Sequence, residues 1–107
     1  MHIVHPDNLS EENWPGFPFR TLVSPDVGGK LGLYLLSITE ANSHVHDKED
    51  QIYIVIEGRG VMEIDDKKQE IGPGFVVHIP KGKRHVLTPL GDDPVTVYSM
   101  EYEVNEP

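Results

Sequence analysis

Two histidines separated by one residue, His44 and His46, are the first pattern in this sequence that could bind a metal ion. On an extended strand, residues i and i+2 point to the same side, with Cβ atoms roughly 6–7 Å apart. Two imidazoles at that separation can share one metal ion that lies ~2.0–2.2 Å from each nitrogen. The residues after His46 can turn the chain so that Gln51 returns beside the pair, and His85 begins a later strand. The alternative interpretation is two exposed histidines on an edge strand.

Short apolar segments, each followed by a turn signal, must position these side chains. From Phe19 onward the segments are rich in Val, Ile, Tyr and Thr, and the turns include SPDVGG and GPG. Strands of this kind at roughly ten-residue spacing indicate an all-β sandwich or barrel. No segment keeps a helical period, so we expect little helix. We predict a single domain over residues 1–107, with an N-terminal arm over 1–18, an antiparallel barrel over 19–102 and a tail over 103–107.

The spacing of the candidate residues resembles the two motifs of the cupin family. The usual first motif is G-x5-H-x-H-x3–4-E-x6-G, and this chain has Ile38-x5-His44-x-His46-x4-Gln51-x6-Gly58. The usual second motif is G-x5-P-x-G-x2-H-x3-N, and this chain has Gly74-x5-Pro80-x-Gly82-x2-His85-x3-Pro89. The resemblance implies a jelly-roll-like double-stranded β-helix. It also implies one divalent metal ion, with the ligands His44, His46, Gln51 and His85.

Gln51 stands where the motif usually has a ligand glutamate. An amide oxygen can coordinate a metal but carries no charge, so the site would keep the full charge of the ion. We expect somewhat weaker metal affinity and sharper Lewis acidity toward an anionic substrate oxygen. Asp50 fits the shorter spacing of the motif, but its count to Gly58 fails and its strand parity is wrong, so we predict Gln51 as the ligand. The ligand types allow Fe, Mn, Ni, Zn or Cu.

The resemblance allows an enzyme, a binding protein or a structural metal site. The enzyme would act on a small enolisable or carbohydrate-like substrate, as a dioxygenase or as a sugar or uronate isomerase. The alternative is a non-catalytic cupin that binds or senses a small molecule. Cupins that linearise unsaturated uronates share the shell of three histidines and one glutamine, but also use an acidic residue on the last strand and an arginine in the tail. Residues 95–98 contain no acidic residue and no arginine follows Arg84, so no catalytic residue is assigned.

Three further side-chain groups receive structural predictions. Tyr53 and Tyr98 are strand residues for which a core position is favoured, and they are also the candidates for lining the substrate pocket. His78 lies between apolar residues and is expected to be packed or to face another subunit. The residues 58–60 are expected to form a hairpin turn.

Charge and composition exclude several classes of partner. Eighteen acidic residues stand against nine basic ones, and the net charge of −9 repels nucleic acid and anionic membranes. The chain has no cysteine, which excludes disulfides and thiolate ligands. No signal peptide is recognised, so a cytoplasmic location is expected. Both faces of the segment 51–56 are apolar, and this pattern together with the aromatic arm predicts a homodimer.

Overall fold

The computed structural model describes residues 1–15, 17–41 and 43–104, and strands dominate this part of the chain. Helical structure is limited to a 3-10 turn at Pro6–Asn8 and to α1, Pro25–Gly28. The strands, in chain order, are β1 Glu12–Trp14, β2 Phe17–Val23, β3 Leu31–Ile38, β4 Glu49–Glu57, β5 Gly60–Ile64, β6 Lys67–Ile71, β7 Val76–Ile79, β8 His85–Pro89 and β9 Val95–Glu103. The predicted all-β fold with little helix is confirmed.

Two antiparallel sheets enclose the core. The larger sheet has the order β1-β2-β3-β9-β4-β7, and the smaller has the order β6-β5-β8. Their inner faces share one cluster of buried apolar side chains: Leu36, Ile38, Tyr53, Val55, Met62, Ile71, Ile79, Leu87, Val95 and Val97. A reciprocal pair of backbone hydrogen bonds between His44 and His85, each 2.9 Å long, joins the β3–β4 connection to β8. This bridge links the two sheets at the end of the molecule where the histidines lie.

The pairing of β4 with β9 decides which side chains share the interior. Gln51 lies opposite Glu101, and Tyr53 lies opposite Ser99. Cross-strand partners project to the same face of a sheet, and successive residues alternate faces. The inner face therefore changes along each strand, from apolar residues at one end to polar residues at the end near the histidines.

The predicted arm and tail both contain residues that belong to strands. β1 lies within residues 1–18 and pairs with β2, whose first residue, Phe17, lies opposite Trp14. The three residues of β1 are too few to show an alternation of apolar and polar side chains, so only their pairing with β2 identifies them as a strand. At the other end β9 continues to Glu103, and residues 105–107 of the predicted tail lie outside the described residues.

The predicted hairpin at residues 58–60 is instead a crossing between the two sheets. β4 pairs with β7 and β9, whereas β5 pairs with β6 and β8. Gly58 has φ +82°, and a Cβ atom there would collide with the carbonyl oxygen of Pro94. The glycine thus allows a close passage past the β8–β9 connection, which a local turn signal cannot distinguish from a hairpin.

No helix among the described residues is both long and apolar enough to cross a membrane.

Candidate metal centre

Three histidines gather at one end of the barrel because two turns are tied together by the backbone. The bridge between His44 and His85 holds the first and third imidazoles. The amide of Gly82 donates to the carbonyl of His46 at 2.7 Å. This hydrogen bond holds the turn before β8 against the residue that carries the second imidazole. The ring centroid of His85 lies 5.9 Å from that of His44 and 5.8 Å from that of His46.

Gln51 is buried beside them, and its amide has a defined orientation. Its Nε2 donates to Ser99 Oγ at 2.8 Å and to Glu101 Oε1 at 3.1 Å. A carboxylate only accepts hydrogen bonds, so the amide nitrogen must face Glu101. The amide oxygen Oε1 consequently points away from both partners.

The polar atoms that these residues leave unpaired are the ones a metal ion would bind. His44 Nε2, Gln51 Oε1 and His85 Nε2 are buried and have no hydrogen-bond partner among the described residues. A buried polar atom without a partner costs about 1–3 kcal/mol, so three in one region require an explanation. Imidazole nitrogen and amide oxygen both coordinate divalent ions through a lone pair. The chemical types of these donors therefore suit a divalent metal ion.

Burial also favours the protonation state that coordination requires. Removal from water lowers the pKa of His44, and the charge of His46 lowers it further. Burial likewise lowers the pKa of His85 to about 4, although the Lys83 carbonyl, which faces its ring, raises it in part. Metal binding needs neutral imidazole, so these two rings are already in the binding form at neutral pH.

Glu101 is the site residue that the sequence interpretation missed. Its Oε1 lies 3.7 Å from His46 Nε2, and burial raises its pKa, an effect that Glu49 adds to and His46 opposes. Residues 95–98 contain no acidic residue, but β9 continues to Glu103. The alternation that makes Val95, Val97 and Ser99 buried reaches Glu101, and following it would have found this carboxylate.

A second grouping of potential ligands shares one histidine with the predicted set. One ligand atom from each of His46, Glu49 and Glu101 lies within 4.8 Å of the others, and all three residues are half-buried. One oxygen of Glu101 already accepts a hydrogen bond from Gln51. The carboxylates keep access to solvent, whereas the unpaired atoms of His44, Gln51 and His85 do not. Burial therefore favours the predicted set, and its assignment as the ligands stays a prediction.

The cavity beside the histidines has a volume of about 240 Å³. Its lining residues are Trp14, Phe17, Phe19, Tyr34, Leu36, His44, His46, Gln51, Tyr53 and Glu101. Tyr53 thus lies where the sequence suggested, with its ring edge-on to His85 at 6.1 Å. Tyr98 lies next to Ser99 on the opposite face of β9 and is not among the residues that line this cavity.

Asp50 and His78 lie on the outer face of the larger sheet. Asp50 Oδ2 lies 2.8 Å from His78 Nε2, and its Oδ1 accepts a hydrogen bond from the Lys81 amide at 2.9 Å. His78 is exposed, with half of its side chain in contact with solvent. Asp50 therefore supports the turn before His85 from outside and does not face the cavity.

The family model of the cupin domain, Cupin_2, matches residues 37–101, which is more than half of the chain. The chain belongs to the cupin domain family. This cupin is 32% identical over 59 residues to the uncharacterized protein MJ1618 of Methanocaldococcus jannaschii, an alignment that covers 55% of this chain and 47% of that protein. It is 27% identical over 63 residues to the uncharacterized protein SCO3923 of Streptomyces coelicolor, covering 59% of this chain and 60% of that protein. The alignments thus span only about half of these relatives.

Solved structures share the fold of this cupin over nearly its whole length. A predicted oxalate decarboxylase from Thermotoga maritima has a TM-score of 0.85 at 19% identity, and 95% of this chain and 99% of that chain are covered. Ectoine synthase from P. lautus has a TM-score of 0.86 at 15% identity, with 96% and 78% covered. KdgF from Halomonas sp. has a TM-score of 0.74 at 19% identity, with 92% of each chain covered. At these identities the likeness shows the fold alone.

Proposed function

We propose that this cupin is a divalent-metal-dependent enzyme that acts on a small, enolisable, oxygen-bearing substrate. In this proposal His44, His46, Gln51 and His85 are the metal ligands, and Glu101 moves the proton. The supporting observation is the set of buried acceptor atoms without partners beside a cavity whose wall includes the Glu101 carboxylate.

A bound divalent ion would supply Lewis acidity toward a substrate oxygen. The other tasks fall to side chains of the chain. Burial raises the pKa of Glu101, which brings its proton affinity closer to that of a carbon acid whose carbonyl is polarised. The Gln51 amide holds one oxygen of this carboxylate, which leaves the other for the substrate. Tyr53 remains protonated, because burial and the nearby Glu101 charge raise its pKa.

The structural comparisons support a metal-dependent enzyme only in general terms. A predicted oxalate decarboxylase, ectoine synthase and KdgF share this fold at 15–19% identity. Because a fold hosts many functions, none of these activities transfers to this chain without its own evidence. The proposal therefore rests on the donor atoms and on Glu101.

The ligand set is tested by metal content after purification and dialysis. His85→Ala should lose the metal, because it removes one of the buried unpaired nitrogens. His78→Ala is the matched control, since this histidine is exposed on the outer face, and it should keep one ion per chain. Glu49→Gln should also keep the ion. Loss of the metal in Glu49→Gln with retention in His85→Ala would show that the grouping of His46, Glu49 and Glu101 is the true site.

Proton transfer is tested by the exchange of carbon-bound hydrogen in heavy water. Metal-loaded protein should accelerate deuterium incorporation next to the carbonyl of 2-hydroxycyclohexanone or dihydroxyacetone, as followed by NMR. Glu101→Gln should slow this exchange about 10²–10⁴-fold while keeping the metal, a range typical of a general base. Glu103→Gln, on the same strand but paired with Lys30, is the control and should behave like the parent. If metal and ligand bind but no hydrogen exchanges, the non-catalytic binding cupin is the better interpretation.

We also propose that this cupin is a cytoplasmic homodimer that pairs through the outer face of the larger sheet. Val76 and Ile56 are exposed there, at 64% and 42% of their accessible surface. Light scattering should give twice the mass of the chain, and Val76→Lys should shift the protein toward the monomer. A monomer at tens of micromolar would contradict this arrangement.

A further inference from the structure

The cavity has two chemically distinct sides. Its polar side chains are the three ligand-type residues His44, His46 and Gln51 together with Glu101, and two tyrosines also line it. The remaining walls are rings and one aliphatic chain: Trp14, Phe17, Phe19 and Leu36. A ligand in this cavity would therefore place its polar groups on one side and its skeleton against aromatic surfaces.

No lysine or arginine lines the cavity among the described residues. Arg20 is adjacent to Phe19 in β2 but projects to the other face, where it pairs with Glu11 at 3.6 Å. Lys30 pairs with Glu103 at 3.2 Å. The one carboxylate in the lining is Glu101, in a chain whose net charge is −9. A carboxylate on the skeleton of a substrate would find no protein cation here, and burying an unpaired charge is strongly unfavourable.

The volume limits the size of the ligand. An apolar cavity of about 150 Å³ holds a benzene molecule, and drug-sized ligands need about 300 Å³ or more. The observed volume of about 240 Å³ lies between these limits. It suits a single six-membered ring with one or two substituents.

The rings favour a flat skeleton over a polyhydroxylated one. Aromatic side chains pack best against other flat π-systems, in offset or edge-to-face contacts. Phe19 and Tyr34 already make such a contact, with centroids 6.2 Å apart and planes at 75°. A sugar would bury several hydroxyl groups against these rings, and each hydroxyl without a partner costs free energy.

We infer that this cavity selects a small, flat, uncharged ligand: a single ring or a conjugated skeleton of that size, with two neighbouring oxygens directed at the histidines. The position of the two oxygens rests on the proposed function, since it requires the metal. The preference for a flat, uncharged skeleton comes from the walls and does not require the metal.

The first test measures ligand preference directly. Trp14 is the only tryptophan in the chain and lines the cavity, so its fluorescence reports occupancy. Zinc-loaded protein is titrated by calorimetry and fluorescence with catechol, phenol, cyclohexane-1,2-diol, galacturonate and oxalate. Catechol should bind at least tenfold more tightly than galacturonate or oxalate, and more tightly than the non-planar diol. Equal or tighter binding of either acid would overturn the inference.

Metal-free protein separates this inference from the proposed function. Phenol should still bind there more tightly than galacturonate, because the walls alone set that preference. If the protein takes up no zinc but keeps this order, the proposed metal site fails while the preference of the walls stands. If zinc binds but galacturonate exceeds phenol in both forms, the inference fails while the metal site stands.

A charge placed in the wall should reverse the preference. Phe19→Lys should lower catechol affinity about tenfold and raise galacturonate affinity, whereas Phe75→Lys should change neither, because Phe75 is an exposed residue outside this cavity. Unchanged affinities in Phe19→Lys would contradict the inference. Should that variant fail to fold, as judged by circular dichroism, Phe19→Leu replaces it. It should reduce the preference for catechol over the diol about threefold, and no reduction would count against the flat wall.

Discussion

The inner faces of β4 and β9 contain two regions that differ sharply in chemistry although the same two strands build both. In one region Val55 and Val97 face each other and are almost completely buried. In the other, four residues earlier along β4, Gln51 lies opposite Glu101. The side chains of the apolar region pack against other apolar side chains of the core. The polar region, by contrast, leaves buried acceptor atoms without hydrogen-bond partners.

The apolar region supplies stability, and the polar region supplies the groups that could do chemistry. Apolar burial near the valines stabilises the fold without any ligand. Unpaired buried acceptors destabilise the metal-free chain, and such violations of packing rules are expected at functional sites. The two ends of the barrel should therefore respond in opposite ways to substitution and to metal.

The largest expected effect compares two residues that are equally buried, at 2% exposure each, but lie in different regions. Ile71→Ala should lower the free energy of unfolding of the metal-free protein by about 3 kcal/mol, because it leaves a cavity in the core. His85→Leu should leave that free energy unchanged or raise it, since it replaces an unpaired polar group by an apolar one of similar volume. Urea unfolding with a chelator present measures both, and a larger loss in His85→Leu would remove the proposed distinction.

Metal binding should nearly close the gap in stability between these two variants. Ile71→Ala should keep the ion and should be stabilised by it about as much as the parent. At a free-ion concentration of about 100 times Kd, a ligand specific to the native state adds about 2.7 kcal/mol. His85→Leu should gain no such increment. Thermal unfolding with and without zinc gives the comparison, and an equal increment in both variants would contradict the assigned ligands.

A smaller effect concerns pH in the metal-free protein. The pKa of His85 is lowered to about 4 by burial, whereas in the unfolded chain it lies near 6.5. Between these values the unfolded state binds a proton that the native state does not, so stability should fall as the pH decreases. The slope from one such group is at most about 1.4 kcal/mol per pH unit. His85→Leu should show a shallower slope in urea unfolding, and an identical slope would assign the pH dependence to other groups.

The smallest expected effect concerns Asp50, which supports the turn before His85 from outside the cavity. Asp50→Asn weakens the contacts of Asp50 with His78 and the Lys81 amide, so we expect a loss of about 1 kcal/mol, as for a partly exposed hydrogen bond. Metal affinity should fall only slightly, because Gln51 and His85 keep their own contacts. Asp66→Asn, in an exposed turn, is the control. A complete loss of metal in Asp50→Asn would make Asp50 part of the site itself.

Much of the fold was predictable because the residue patterns that indicate strands and turns lie within short stretches of the sequence. The segments from Phe19 onward correspond to strands of the structure, and the spacing around His44, His46 and His85 predicted their common neighbourhood. The crossing at Gly58 and the pairing of β1 with β2 were not predictable in this way. Both depend on which distant segment lies alongside, and a short window of residues contains no information on that.

The sequence by itself determined the β-rich fold, the cupin motifs and the residue types at the proposed metal site. Only the tertiary structure decided that Glu101 meets Gln51 and orients its amide, and that Tyr98 faces outward. The physical reason is the register between β4 and β9, which pairs residues 50 positions apart in the chain. That register results from burying both apolar faces together, and it carries the polar residues beyond them into contact.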